Sequence, residues 1–348
     1  MKICLVNASN PLNVSLESDS YTDFRGGRAS CFEGDKCIKQ CRSWHGWPYA
    51  LETEFFVFGK DGFNGVFNYD GIVILVNRDM QAVLPLVKKL KLMKKKVAIS
   101  FHEGVGDLIG SSGIPNENPA LRWVGLYDLV QAADFYVNLF GQMQTFFEGW
   151  FGKNKVKYCQ HGTVTDWEAI KIHRVPFDER PYDILIGTRT LNQRLPRNTM
   201  VTLGVANKFA NEGKKVLYIS EDGDVKELFK KIGFDKIEVQ VGARSWEEWL
   251  KLIAKCKVVA HFDDSLNLGQ IAADCAMMDV ACVGSTCWNN EIQETGDSGQ
   301  SDVLSNLISG YIEHNGISML NNVRYRNNFY NTLHPDRVKE RLLEIFNE

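Results

Sequence analysis

The sequence has little net charge and no long apolar run. Its 348 residues sum to a formal charge of −3, which gives no global attraction to nucleic acid, so any such contact must rest on a local basic surface. No apolar stretch approaches the roughly 20 residues that a membrane-crossing helix requires, and residues 1–7 read as a strand rather than a signal peptide. No membrane partner is therefore expected. There is no internal repeat and no low-complexity segment. No Asp-x-Asp pair stands in a metal-binding context, and the adjacent Asp263 and Asp264 would point apart in an extended chain, so no required metal is implied. The nine cysteines are an odd number for a chain of this length, which argues for reduced thiols and a cytoplasmic location.

The remaining composition, 44% hydrophobic and 24% charged, is that of a soluble globular protein long enough for two domains. Continuous apolar runs at residues 2–7, 54–58, 70–77, 97–101, 135–139 and 156–160 read as strands of a parallel sheet. Helical periods at 80–96, 125–133 and 143–151 separate them, and the Lys94-Lys95-Lys96 run suits a helix C-terminus. Residues 8–48 are rich in Asn, Ser, Pro and Gly and read as a long functional loop with a short helix. A charged stretch with Pro176 and Pro181 reads as a linker. The alternation then restarts, with strands at 183–187, 215–220, 237–241, 258–261 and 280–284 and helices between them. The expected fold class is α/β with doubly wound parallel sheets.

In such a sheet ligands lie outside the carboxyl ends of the strands. The strand at 183–187 ends in Gly187 and is followed by Arg189, Arg194 and Arg197, three arginines in nine residues that would clamp a pyrophosphate bidentately. After the strand at 237–241 come Gly242, Ala243 and Arg244, where a base could pack on backbone. The strand at 258–261 leads through a polar loop to a helix opened by Asn267, Gly269 and Gln270, whose unpaired N–H groups would seat a phosphate. Asp274, further into that helix, is placed to take a ribose hydroxyl. In the first half, His102 and Glu103 stand where the strand at 97–101 hands over to a loop, and His161 follows the strand at 156–160, as a candidate contact to acceptor or sugar although a simple turn is the favoured interpretation. Cys31, Cys37, Cys41 and His45 have the residue types of a Cys₃His zinc site, but their spacing matches no standard zinc motif, and buried filler thiols are the favoured interpretation.

Two Rossmann-like halves joined by a linker resemble the GT-B architecture of nucleotide-sugar glycosyltransferases. That likeness implies two doubly wound domains facing a central cleft. Residues 1–165 would bind acceptor, 166–182 link, 183–325 bind the nucleotide sugar, and 326–348 form a helical segment crossing back to the first domain. In order and spacing the chain is further similar to the T-even phage DNA β-glucosyltransferase family. The similar segments are the MKI strand leading to Asn7 and Asn10, the YDGIVILVN strand, and SFHE after a lysine-rich helix. The resemblance puts Glu103 at the position of a catalytic aspartate, as general base with His102 second, and Arg189 and Arg194 nearest the donor-phosphate arginines. It puts Asp274 where that family binds ribose with a glutamate, while an arginine one turn earlier has Ile271 in its place. It implies a UDP-sugar as co-substrate, no required cofactor although the family benefits from a divalent ion, and duplex DNA with hydroxymethylated pyrimidines as acceptor. Arg25, Arg28 and the lysines of the long first loop would hold that DNA. The implied protein is a monomer in the cytoplasm, a host's if phage-encoded. Two alternatives stay open: a glycosyltransferase acting on a surface glycan or small molecule, and a nucleotide-binding module without catalysis.

Overall fold

A computed structural model describes residues 1–8, 22–23, 32–33, 36–37, 46–57, 63–77, 80–101, 119–163, 170–187, 199–220, 223–242, 246–262, 270–285, 294–296, 301–313, 324, 327–328 and 330–348. The chain divides into two units, Met1–Val164 with Thr332–Glu348, and Thr165–Asn331.

The first unit grows from β1 (Ile3–Ala8), whose six residues are all buried. Burial on both faces is what a continuous apolar run requires, because helices cover a parallel sheet on each side. In chain order follow β2 (Thr22–Asp23), β3 (Phe32–Glu33), β4 (Lys36–Cys37), helix α1 (Gly46–Leu51), β5 (Glu54–Val57), β6 (Gly71–Val76), α2 (Met80–Leu92), β7 (Lys96–Phe101), α3 (Pro119–Ala132), β8 (Phe135–Asn138), α4 (Gln144–Phe151) and β9 (Val156–Tyr158). The sheet order is β2-β5-β1-β6-β7-β8-β9, parallel except for β2 against β5, and β3 and β4 form a separate antiparallel pair. Pairing of Ala8 with Val76, and of Val76 with Phe101, ends β1, β6 and β7 in step.

Helix α2 buries Val83, Leu86, Val87 and Leu90, one face at helical spacing. It stops at Leu92, short of the expected Lys96, because Lys94 takes a left-handed φ of 59° and Lys96 already opens β7. At the end of α3, the Lys155 ammonium donates to the carbonyls of Val130, Gln131 and Ala133 at 2.9–3.0 Å. That cation satisfies orphan acceptors at a helix C-terminus, and its burial lowers its own pKa.

The second unit repeats the alternation: β10 (Tyr182–Ile186), α5 (Thr199–Asn211), β11 (Val216–Ser220), α6 (Val225–Lys231), β12 (Glu238–Val241), α7 (Trp246–Ala254), β13 (Cys256–His261), α8 (Gln270–Met277), β14 (Ala281–Ser285), β15 (Glu294–Gly296) and α9 (Ser301–Glu313). Its sheet runs β12-β11-β10-β13-β14-β15, all parallel. Ile184, Ile186, Leu203, Phe209, Tyr218, Val258, Leu304 and Ile308 share one buried core. The doubly wound parallel sheets expected from the sequence are thus present in both units. β15 and α9 were not expected; α9 is held by Leu304, Ile308, Tyr311 and Ile312, an apolar stripe at helical spacing. The last helix, α10 (Pro335–Asn347), belongs to the first unit and packs on α1. Its Phe346 ring fills the space a side chain at Gly71 would need.

Candidate functional site

Numbering the parallel strands of the second unit along the chain gives the order 3-2-1-4-5-6, so the winding reverses between β10 and β13. Connections leave these neighbours toward opposite sides, which opens a crevice beyond their carboxyl ends. At the exit of β10, the Gly187 N–H donates to Ala260 O at 2.9 Å. A Cβ on Gly187 would stand 3.0 Å from the Cβ of His261 and 3.3 Å from its Nδ1. Glycine here allows the two strand ends to touch. His261 is 6% exposed, and the next residue, Phe262, donates its N–H to Thr202 Oγ1 of α5 at 3.4 Å. Thr199, the first residue of α5, is also buried, and its hydroxyl has no hydrogen-bond partner among the described residues.

Helix α8 follows β13 and is pinned at its far end. Arg174 donates from Nε and Nη2 to Met277 O at 3.0 and 2.8 Å, and its Nη1 pairs with the Asp279 carboxylate at 2.9 Å. Arg180 donates to the carbonyls of Asp279 (2.9 Å), Val175 (3.0 Å) and Cys256 (3.3 Å), and burial lowers its pKa. Asp279 sits at φ 56°, the left-handed position that ends the helix. Two guanidinium groups therefore meet the negative end of the helix dipole and leave its positive end toward the crevice edge. One turn in from that edge Asp274 is 2% exposed, and its Oδ2 accepts from Nε1 of the fully buried Trp249 on α7 at 3.0 Å.

Gly187, the start of α8 at Gln270, and Asp274 thus belong to one edge of one unit. Arg189, Arg194, Arg197, Ala243, Arg244, Asn267 and Gly269 lie outside the described residues. His261, Thr199, Thr202, Trp249, Arg174 and Arg180 were not foreseen as contributors. The signal for His261 was available, since it ends the strand before the polar loop. Arg174 and Arg180 lay in the stretch whose prolines and charges suggested a linker.

In the first unit the parallel order is 2-1-3-4-5-6, and the reversal falls between β1 and β6. Buried Asn7 lies near the end of β1 and buried Asn77 just follows β6, with Phe101 closing β7 beside them. His102 and Glu103 come next in sequence and, like Arg25 and Arg28, lie outside the described residues. His161 is elsewhere. It follows β9, three strand spacings from β6, about 14 Å. It is 2% exposed, with its ring centroid 4.4 Å from that of Trp47. Trp47 Nε1 donates to Gln160 O at 2.5 Å, and a Cβ on Gly46 would collide with the backbone of His161 and Gly162. On the other side Thr163 N–H reaches Leu333 O at 3.1 Å. This segment ties α1 and the start of α10 to the sheet.

A cavity of about 580 Å³ opens at the amino ends of β1 and β5, lined by Lys2, Glu52, Glu54, Tyr69, Lys339 and Leu343 among others. That is the opposite end of the sheet from the one where doubly wound folds hold ligands. The five cysteines whose side chains are described are buried thiols, and burial pushes Cys159 up to about 12. They are packing groups rather than nucleophiles. Among the described residues no three His, Cys, Asp or Glu side chains cluster as metal ligands, and Cys31, Cys41, His45 and the Cys37 side chain lie outside them.

No protein-family model and no curated protein matches the chain in sequence. In structure it is similar to the Anabaena protein HepE in complex with UDP, with a TM-score of 0.64 and 12% identity over 100% of both chains. It is similar to an alpha-glucosyltransferase in complex with UDP and a 13-mer DNA containing an HMU base, with a TM-score of 0.60 and 11% identity over 100% of both chains. Sucrose-phosphate synthase from Thermosynechococcus elongatus gives a TM-score of 0.64 at 11% identity, over 100% of this chain and 98% of that one. Likeness at such low identity speaks for the fold. The chain has the GT-B glycosyltransferase fold.

Proposed function

We propose that the protein is a glycosyltransferase that moves a sugar from a UDP-sugar to a hydroxyl acceptor. The observation that carries this reading is the edge of the second unit. There the winding reverses between Gly187 and His261, with Asp274 one turn into α8 behind them, in a fold whose solved relatives include proteins bound to UDP. Arg189, Arg194 and Arg197, with the N–H groups at Asn267, Gly269 and Gln270, hold the diphosphate and stabilise the charge it gains on departure. Ala243 and Arg244 flank the base, and Asp274 takes a ribose hydroxyl.

In the reaction the bond from the sugar's anomeric carbon to the diphosphate oxygen breaks, and a bond from that carbon to the acceptor oxygen forms. Glu103 takes the acceptor proton as general base, with His102 beside it, and UDP leaves with the electron pair. No step requires a cofactor. A divalent ion would add charge neutralisation at the diphosphate if one binds.

The finer reading places a hydroxymethylated pyrimidine of duplex DNA as acceptor, flipped from the helix and held through its phosphates by Arg25 and Arg28. The similarity to the DNA-bound alpha-glucosyltransferase over the whole of both chains supports it. The enzyme would act as a monomer in the cytoplasm. Incubating the protein with a panel of UDP-sugars, with hydroxymethylcytosine DNA, plain DNA and oligosaccharides in turn, decides the matter. Transfer to modified DNA alone supports this reading. Transfer to a glycan or small molecule moves the acceptor but keeps the chemistry, and binding without turnover overturns the enzyme.

A further inference from the structure

Helix α2 runs back along the first sheet and ends at its amino edge, where Lys96 opens β7 and donates its N–H to Asp70 O, just before β6, at 3.0 Å. Residues 88–96, the end of the helix and the reversal after it, read Lys-Lys-Leu-Lys-Leu-Met-Lys-Lys-Lys, with no acidic residue among them. The backbone closes as a Schellman turn. Lys95 N–H donates to Leu90 O at 3.0 Å, Lys94 N–H donates to Lys91 O at 2.9 Å, and Lys94 takes the left-handed φ of 59°. Leu90 is fully buried, while Leu92 and Met93 stand outward at 85% and 44% exposure. Leu92 is the most exposed large apolar side chain among the described residues.

Some of these lysines have partners within the chain. Lys91 pairs with Asp134 at 2.5 Å, Lys96 donates to Phe346 O at 2.8 Å, and the Lys89 ammonium lies 4.9 Å from the centre of the Phe67 ring. Lys88, Lys94 and Lys95 form no ion pair among the described residues. The negative end of a helix dipole accounts for cations near it. It does not account for Leu92, which lies off the buried face of Val83, Leu86, Val87 and Leu90, nor for the methionine half exposed beside it. A surface of anionic lipid satisfies both parts of the turn at once. It attracts the cations, and its headgroup layer takes the apolar side chains out of water. A nucleic-acid backbone would satisfy the lysines alone.

We propose that the turn at residues 88–95 docks the protein on an anionic lipid surface, with Leu92 and Met93 entering the headgroup layer and Lys88, Lys94 and Lys95 meeting its phosphates. The contact lies on the surface of the bilayer; no helix among the described residues is long and apolar enough to cross a membrane. Asn7 and Asn77 mark the opposite ends of the six-residue strands β1 and β6, roughly 20 Å away at about 3.3 Å per residue. Docking through α2 therefore leaves the carboxyl edge of this sheet uncovered.

The experiment is co-sedimentation of the full-length chain with vesicles of phosphatidylcholine alone and with about 30% phosphatidylglycerol, beside anisotropy titration of a labelled DNA duplex. The wild type should partition onto the anionic vesicles about tenfold or more strongly than onto the neutral ones, and high salt should remove that gain. Leu92→Ser with Met93→Ser should lower the partitioning about tenfold and leave duplex binding unchanged. Lys88→Ala, Lys94→Ala and Lys95→Ala should each lower it about fivefold. All five side chains are exposed or half-exposed, so the unfolding midpoint should not move. Equal partitioning onto both kinds of vesicle, or a preference that high salt does not weaken, overturns the proposal in the wild type itself. A preference that survives Leu92→Ser with Met93→Ser also overturns it, and if the duplex then binds more tightly than the vesicles, the turn belongs to nucleic acid instead.

Discussion

The two units are built from the same alternation of strand and helix but present their working edges differently. In the second, the reversal between β10 and β13 is framed by regular structure: Gly187 against His261, Thr202 on α5, Trp249 on α7 and Asp274 on α8. In the first, the reversal between β1 and β6 is framed by Asn7 and Asn77, and the residues assigned to chemistry, Glu103, Arg25 and Arg28, lie outside the described residues, as do the arginines assigned to the diphosphate in the second. The contrast suits a division of labour. A ribose is a constant part of the donor and can be met by a fixed buried group such as Asp274, whereas acceptors differ between enzymes of one fold.

The comparison breaks most visibly if the second unit's edge does not depend on the arginines that pin the far end of α8. Arg180→Ala leaves three carbonyls without their donor and frees the end of α8. It should cost about 3 kcal/mol or more, read as a lower unfolding midpoint with amide exchange accelerated in α8 and β13. Exchange in β1, β6 and β7 should keep its protection.

On the other side of the comparison, Glu103→Gln should lower sugar transfer by ~10²-fold or more through loss of the base. UDP affinity should hold within about twofold, because no donor contact is assigned to that residue. Unchanged turnover would remove Glu103 from the mechanism.

A smaller effect sharpens the geometry of the second edge. Gly187→Ala pushes a methyl against His261, which should destabilise the chain by about 1–2 kcal/mol. Adding His261→Gly, which removes the Cβ the methyl meets, should recover part of that loss, and a double-mutant cycle of chemical denaturation curves measures the coupling.

The smallest effect concerns acid. Burial works to raise the Asp183 pKa, but the Lys257 ammonium at 2.8 Å and the Lys215 N–H at 2.9 Å outweigh it and hold the carboxyl below its ordinary value. A carboxylate depressed by folding adds stability that is complete above its unfolded pKa, about 3.9, and is lost as pH falls through the lower folded value. Asp183→Asn should therefore cost up to about 1 kcal/mol at neutral pH, with the difference from wild type vanishing in strong acid.

How much of this was legible in the sequence follows from what each residue has to do. The strands were legible because burial on both faces demands unbroken apolar runs, as at residues 3–8 and 71–76. Helix α9 carried an equally plain signal in the spacing of Leu304, Ile308, Tyr311 and Ile312, which the Asn- and Gly-rich surroundings obscured. Gly187 and Asp274 could be picked out because strand ends and the helices that follow them are where such folds put ligands. Their partners could not. Trp249 reads as one more apolar residue of an amphipathic helix, and only its contact with Asp274 separates it from the core. The arginines that cap α8 come from 99 and 103 residues upstream of the carbonyls they reach there, a pairing no local pattern encodes. His161 looked available as the end of a strand, yet Trp47, distant in sequence, covers it.

The most direct test of the account is equilibrium binding of UDP and UMP to the intact chain, by calorimetry at moderate salt. If the crevice beyond the strand ends at Gly187 and His261 is a diphosphate site faced by arginines and a helix start, one UDP should bind per chain, about tenfold or more tightly than UMP, since the β-phosphate adds at least one charge-assisted contact. Equal affinity for the two nucleotides, or no binding of either, would contradict it.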